Sequence, residues 1–235
     1  MQLFYSPLLN KEDTNYTFDK EESNHIVKVL RKKNGDNLMV TNGKGYLFNT
    51  VINTDNDRKC SVTIVEYDFK EPENFHIHLA VAPTKMNERF EWFLEKATEI
   101  GIHEITPIIC DHSERKQIKL ERFEKIVQAA MKQSLHRYMP ILHDAVSFKA
   151  FIQQENDSHK YIAHCEETEK TLLKNAIPKG ASYTLLIGPE GDFSSSEIDS
   201  ALKANFKPVS LGNTRLRTET AAVVATHSFV FCNEE

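Results

Sequence analysis

Glycine is scarce in this chain, with 8 in 235 residues, and cysteine scarcer, with 4. Cys60, Cys110, Cys165 and Cys232 form no C-x-x-C pair. That spacing suits neither a zinc knuckle nor a disulfide-stapled secreted domain, so all four are read as reduced and structural. Long apolar runs are missing as well. Ile105–Cys110 and Ala221–Ala225 fall far short of the ~20 residues that cross a bilayer. The opening MQLFYSPLLN has neither the charged start nor the apolar core of a signal peptide. A soluble, cytoplasmic protein with no membrane partner is expected. Positive charge is not in excess: 29 Lys and Arg against 34 Asp and Glu give a net charge of −5. This excludes a histone-like basic coat but leaves room for a local patch that binds phosphate.

Several nucleotide and catalytic signatures are absent too. There is no G-x-x-x-x-G-K-[ST], no G-x-G-x-x-G after an early strand and no G-x-S-x-G. These absences exclude a P-loop, a dinucleotide Rossmann site, glycine-rich methyltransferases of that type and a hydrolase elbow. Of the ten histidines, His76 and His78 form the only close pair. Alternation along a strand puts both on one face, but the sequence offers no obvious third ligand, and no metal is expected.

What is present divides the chain. Up to about residue 70, short alternating segments at Asn37–Thr41, Tyr46–Asn53 and Lys59–Tyr67 are separated by Asn-Gly and Asp-Asn turn signals. They predict a small antiparallel barrel. A helix from Glu21 to Arg31 precedes it, with Ile26, Val29 and Leu30 inward. Residues 70–74 read as a linker. From Phe75 onward strands alternate with helices, the pattern of a mainly parallel sheet covered on both faces. Phe90, Phe93, Leu94, Ala97 and Ile100 form the buried stripe of one helix, with Trp92 also assigned to the core and Gly101 ending it. Four cations without an intervening acid, Lys28, Arg31, Lys32 and Lys33, form one basic cluster, and Arg115 and Lys116 begin another.

Because glycine is rare, its placement carries information. Gly188, Gly191 and Gly212 follow two strand-like runs near the C-terminus. In the first run, Leu185-Leu186-Ile187-Gly188-Pro189-Glu190-Gly191, a strand passes into a turn whose glycines let a ligand approach the backbone. Ser194 and Glu197 then make a capping box for a helix with Ile198, Ala201 and Leu202 inward. The second run, Val209-Ser210-Leu211-Gly212, leads through Arg217 to a final helix with Thr218 as its N-cap. Loops at the carboxyl ends of parallel strands are where open α/β sheets bind ligands. Tight turns, with Arg217 paired to Glu219 on the surface, are the competing interpretation of the same residues.

The runs LLIGPEGDFSSSEI and VSLGNTRLRTETAAVVA, with HIVKVLRKKNGD, KMNERFEWFLEKATEIGIHEITPIIC and MKQSLHRYMP, closely resemble the RsmE family of 16S ribosomal RNA uracil-N3 methyltransferases over nearly the whole chain. The resemblance implies an α/β SPOUT-type knotted, mainly parallel sheet with flanking helices at 74–235. A small PUA-like RNA-binding β-barrel at 1–70 would precede it. It also implies a homodimer, 16S ribosomal RNA of the small subunit as partner and S-adenosylmethionine as cofactor. Carried onto this chain, it places the cofactor against Gly188, Pro189, Glu190, Gly191, Leu211, Gly212, Leu216 and Arg217. Thr218, Thr220 and Ala221 close the pocket, and His164 stands at its rim. Arg217 is the implied cation for charge developing on uracil, with Glu219 orienting it or assisting proton removal. Lys28, Arg31, Lys32, Lys33, Arg115 and Lys116 would meet RNA. The chain departs from the family pattern in three places: Asp192 replaces a usual glycine, no arginine occurs before Arg31, and Arg137 is alone in LHRYMP. Two alternatives stay open. A SPOUT enzyme with another RNA target would be separated by nucleoside analysis, and a non-catalytic RNA-binding or ribosome-assembly factor by cofactor binding.

Overall fold

The computed structural model describes residues 2–234. The chain divides into two compact units. One comprises the residues up to Pro72 together with Met131–Met139, the other Glu73–Ala130 and Pro140 onward.

The first unit runs through β1 (Leu3–Tyr5), β2 (Asn15–Thr17), α1 (Lys20–Asn24), a π-helical turn (His25–Val29), β3 (Asn37–Thr41), β4 (Tyr46–Thr54) and β5 (Ser61–Phe69). Its five-stranded sheet has the order β1-β3-β4-β5-β2. The β3, β4 and β5 meander is antiparallel as expected, while β1 joins β3 in parallel. Strands β1 and β2 are not marked in the sequence, because three residues carry no readable alternation. Phe4, Leu38, Val40, Phe48, Ile52 and Val62 fill the inner face. The expected single helix over 21–31 is interrupted. Asp19 caps α1 by accepting the Glu22 N–H at 2.8 Å, but the Leu30 N–H reaches five residues back to the His25 carbonyl at 2.9 Å. This wider turn rotates the following face. Ile26 stays buried, whereas Val29, expected inward, is 64% exposed.

The segment Met131–Met139 is stitched onto the β3–β4 turn and the end of β5. Arg137 Nη1 meets Asp68 Oδ2 at 2.6 Å, and the Tyr138 hydroxyl donates to the Lys70 carbonyl at 2.7 Å. The Gly45 N–H donates to the Arg137 carbonyl at 2.9 Å, and the Met139 N–H to the Gly43 carbonyl at 3.0 Å. Gly45 has φ +94°, and a Cβ there would strike the Phe69 ring at 2.7 Å as well as the Tyr138 hydroxyl. Only glycine satisfies both constraints. The lone arginine of LHRYMP therefore has a local partner, and its guanidinium holds the Asp68 carboxyl below the usual carboxylate range.

The second unit continues with β6 (His76–Val81), α2 (Asn87–Ile100), β7 (Glu104–Ile109), α3 (Leu120–Gln133, whose last residues belong to the first unit), β8 (Ile141–Leu142), β9 (Val146–Ser147) and α4 (Phe148–Ile152). It is completed by β10 (His159–Ala163), β11 (Thr171–Leu172), α5 (Leu173–Ala176), β12 (Ser182–Ile187), α6 (Ser195–Lys203), β13 (Lys207–Ser210) and α7 (Thr218–Asn233). The sheet order is β11-β13-β10-β12-β6-β7-β8, with β9 also on β7. Its pairings are parallel throughout the described residues. Both faces are covered, which is why β12 is buried from Tyr183 to Ile187 instead of alternating. On one face, Ala80, Ile108, Ile162 and Leu186 pack with Phe151, Ile198 and Phe206. On the other, α7 lies against α2, β6 and β12, and Phe229 stacks on Tyr183 at 4.6 Å between ring centroids.

In α2 the stripe Phe90, Phe93, Leu94 and Ala97 is buried, and Gly101 ends the helix at φ +114°. Trp92, expected in the core with the phenylalanines, is instead 43% exposed. It follows Phe90 by two residues, about 200° around the helix and so on the far side. Leu202 of α6 is likewise 42% exposed instead of inward.

Candidate functional site

Strands β13, β10 and β12 are neighbours and run parallel. The chain therefore leaves all three at one edge of the sheet. The three exits and the first turn of α7 enclose a cavity of about 740 Å³, within the size range of small-molecule sites.

Much of the predicted pocket comes together in this wall. Gly188, Pro189 and Glu190 follow β12, Leu211 and Gly212 follow β13, and Leu216, Arg217, Thr218 and Ala221 lead into α7. His164, at the exit of β10, completes the set. Gly191, Glu219 and Thr220 lie outside the lining. Asp192 and Lys170 line the cavity and were missed, as was the apolar contribution of Ile187 and Val209. Asp192 stands inside the LLIGPEGDFSSSEI run, but Lys170 carries no motif; only the strand order reveals that the loop after β10 belongs to the same edge. Lys170 holds that loop by donating to the His164 and Glu166 carbonyls at 3.0 and 2.6 Å.

The glycines serve different purposes. A Cβ on Gly188 would press on the Phe193 ring at 3.0 Å, and one on Gly191 would meet the His112 Cβ at 3.2 Å. These two accommodate the protein's own side chains. Gly212 is the reverse: its φ is +139°, and none of the described residues lies within 4 Å of the Cβ it lacks.

Asp192 replaces a glycine of the family pattern by adopting φ +64° itself, a left-handed conformation that Asp enters more readily than most residues. Its carboxylate is then used twice, accepting the Cys165 N–H at 2.7 Å and the Phe193 N–H at 2.9 Å. The substitution thus ties the β12 loop to the β10 loop. Beyond it the capping box forms as expected, and Glu197 also accepts the Asp111 N–H at 2.9 Å.

At the start of α7 the cap is Arg217, not Thr218. The Thr218 hydroxyl donates to the Gly188 carbonyl at 3.0 Å, joining the two loops instead of capping its own helix. Arg217 is exposed at the cavity. Glu219 is buried and meets Arg89 Nε of α2 at 3.8 Å, so its charge is directed at α2. His164 is 8% exposed, and neither of its ring nitrogens has a hydrogen-bond partner among the described residues. Burial, aided by the Lys170 ammonium, lowers its pKa against the opposing pull of Asp192 and Glu166.

The basic candidates separate between the two units. Lys28 is exposed and pairs with Asp57 at 3.4 Å, Arg31 leaves the π-turn at φ +56°, and Lys33 is exposed with Lys32 half-buried. In the second unit Arg115 spends its guanidinium on the Thr84 and Lys85 carbonyls, at 3.2 and 2.7 Å, while Lys116 is exposed. All four cysteines are free, with Cys165 exposed and so not part of the core. No helix among the described residues is long and apolar enough to cross a membrane.

Comparison with known proteins adds two family matches. A family described as an RNA methyltransferase domain matches residues 71–230, and an RNA methyltransferase PUA domain matches residues 18–65. The chain is 32% identical to the ribosomal RNA small subunit methyltransferase E of Rickettsia conorii over 204 residues, covering 86% of this chain and 83% of that one. It is 26% identical to the protein of the same name from Bacillus subtilis, covering 100% of this chain and 98% of the other. Its fold superimposes with a TM-score of 0.84 on the Neisseria gonorrhoeae ribosomal RNA small subunit methyltransferase E bound to S-adenosyl methionine. That pair is 25% identical, with 96% of this chain and 95% of the other covered.

Proposed function

The chain belongs to the ribosomal RNA small subunit methyltransferase E family, with a PUA-like sheet ahead of an RNA methyltransferase domain, and from that premise we propose that it methylates N3 of a uracil in 16S ribosomal RNA using S-adenosylmethionine. The observation that carries this is the cavity at the carboxyl ends of β10, β12 and β13. The proposal includes a cytoplasmic homodimer acting on the small subunit. It also includes knotted threading of the C-terminal segment, supported by the insertion of β13 between β10 and β11.

The residues present fit the cofactor. Ile187, Val209, Leu211, Leu216 and Ala221 offer aliphatic walls to an adenine ring. A buried histidine with two unpartnered nitrogens is costly unless something hydrogen-bonds it, and the polar edges of such a ligand supply that partner. Gly212 leaves open space in front of its backbone. When bound, the cofactor supplies an electrophilic methyl group on sulfur.

The chain's own residues then address the nucleobase. Uracil N3 carries a proton at neutral pH, and its loss spreads negative charge over the flanking carbonyl oxygens. Arg217, at the mouth of the cavity and permanently charged, is positioned to stabilise that charge. Thr218 fixes the Arg217 backbone by tethering it to Gly188. Glu219 acts as a positioning residue, its pair with Arg89 setting the first turn of α7. In the first unit Lys28, Arg31, Lys32 and Lys33 supply phosphate contacts, which make binding salt-sensitive. Arg115 contributes through the 84–85 backbone that it braces.

The test is methyl incorporation from labelled S-adenosylmethionine into unmodified small ribosomal subunits, with mass spectrometry of the digested nucleosides. 3-Methyluridine is the expected product. Another methylated nucleoside would replace the target, and absence of any product from both subunits and free RNA would overturn the activity.

A further inference from the structure

The parallel sheet has a second cluster of chemistry at its opposite edge. Strand β6 carries His76 and His78 on one face near its amino end, and Glu104 opens β7 directly beside His78 in the ladder. Strand β8 pairs with the same end of β7, and the residue following it is His143. The sequence presents His76 and His78 as a pair without a third ligand. Strand order supplies one from each of two neighbouring segments.

The geometry is convergent. Glu104 takes a hydrogen bond to Oε1 from His143 Nε2, while its Oε2 lies 3.8 Å from His78 Nδ1 and 3.6 Å from His76 Nε2. One ligand atom from each of His78, Glu104 and His143 falls within a 4.8 Å group. The His78 ring is held from behind, with Nε2 bonded to Thr106 Oγ1 at 2.8 Å, so that Nδ1 points to the carboxylate. A hydrogen bond on the distal nitrogen is the usual way a metal-binding imidazole is oriented and its tautomer set. Phe151 covers the other side of the His78 ring, at 5.3 Å between centroids.

We propose that His78, Glu104 and His143 form a site for one divalent first-row metal ion of the Zn²⁺ class, with His76 placed to act as a fourth ligand. Two imidazole nitrogens and one carboxylate oxygen match the donor preference of such ions and not that of Mg²⁺ or Ca²⁺, which favour oxygen alone. Bond lengths of ~2.0–2.2 Å place tetrahedral ligand atoms roughly 3.4 Å apart, so by small rotamer adjustments His78 closes on the carboxylate while the His143–Glu104 hydrogen bond opens to admit the ion. The ion would pin β6, β7 and the exit of β8 at the edge away from the cavity. Its role is therefore structural and independent of methyl transfer.

The experiment uses tag-free, full-length protein stripped with chelator, dialysed against Zn²⁺ and analysed for bound metal by mass spectrometry. One ion per chain is expected in wild type and less than a tenth of that in His78→Ala/His143→Ala. Thermal unfolding should shift upward with Zn²⁺ in wild type alone. Should the double variant fold poorly by circular dichroism, the partly exposed single changes Glu104→Gln and His143→Asn provide the same comparison, each expected to weaken binding at least tenfold. X-ray absorption at the zinc edge should show nitrogen and oxygen neighbours only. Failure of wild type to retain zinc, equal retention by the variants, or sulfur scattering from a cysteine would each overturn the site.

Discussion

The two loops that wall the cavity are alike in sequence, each a strand ending in glycine and followed by a helix, yet they are built on opposite principles. The loop after β12 is held by its own side chains: Phe193 fills the space Gly188 leaves, Asp192 ties down the Cys165 backbone, and Glu197 closes the cap of α6. The loop after β13 has Gly212 facing empty space, with Asn213, Thr214 and Arg215 exposed before the chain is recaptured at Thr218. One wall is braced by the protein's own side chains; the other is left open. A site built this way spends little ordering entropy on one side while keeping room to admit and release ligand on the other.

That contrast can be broken most severely at Phe193, which is 3% exposed. Phe193→Ala should destabilise the protein by about 3–5 kcal/mol, the range for a buried aromatic truncation, and weaken cofactor binding in proportion. Denaturant titration beside isothermal calorimetry checks this; an unchanged midpoint would mean that the first wall does not depend on its packing. Next in size is Arg217→Ala on the open side. Turnover should fall on the order of 100-fold or more, as for loss of one charge-stabilising donor, with cofactor affinity within about threefold. Similar losses in both quantities would make Arg217 a cofactor ligand only.

Smaller effects sharpen the comparison at the backbone. Gly212→Ala places a side chain at φ +139°, a strain of about 1–3 kcal/mol. An exposed loop can relieve this by moving, so the change should appear as weaker cofactor binding with little shift in Tm. Asp192→Gly removes the same kind of strain but also the Cys165 tether, and should change stability by less than about 1 kcal/mol, about the value of one hydrogen bond. If Gly212→Ala costs more stability than affinity, the second loop is as rigid as the first.

The smallest expected effect is a pH dependence at the shared rim. Burial lowers the pKa of His164 in the folded state, so below the ordinary histidine value of about 6.5 the unfolded chain binds the extra proton first. Stability therefore falls on acidification through that region, and is fully regained above it. Urea titrations from pH 7.5 to 5 should show a shallower acid-side decline in His164→Gln than in wild type; parallel curves would remove His164 from the linkage.

Much of this was legible in the sequence because local signals agreed. The β3–β5 meander was marked by its turns, α2 by its stripe and Gly101, and α6 by Ser194 and Glu197. What escaped was set by neighbours. Val29 faces outward because the chain adds a residue to one helical turn, a choice with no local marker. Trp92, grouped with the phenylalanines of α2, lies outside the core because its spacing from Phe90 puts it on the other side of the helix. Thr218 has the composition of a cap, but a buried carbonyl at Gly188 competes for its hydroxyl. Lys170 and the Glu104–His143 pair belong to their clusters through strand order, which no linear motif encodes, and the same order brings the Cys165 N–H to Asp192.

The stitching of Met131–Met139 onto the early strands has a temporal consequence. Arg137 and Asp68 are 69 residues apart in the chain, and the methionines that flank this segment come well after β5 has been made. During synthesis the N-terminal sheet would therefore wait, with Gly45 and the end of β5 lacking their partners, until the ribosome has extended the chain past residue 139. A protein whose relatives are named for modifying ribosomal RNA would thus complete its first-made unit only after more than half of its chain had been translated. A fragment ending at Pro72 would fold less stably than its compact outline in the whole chain implies.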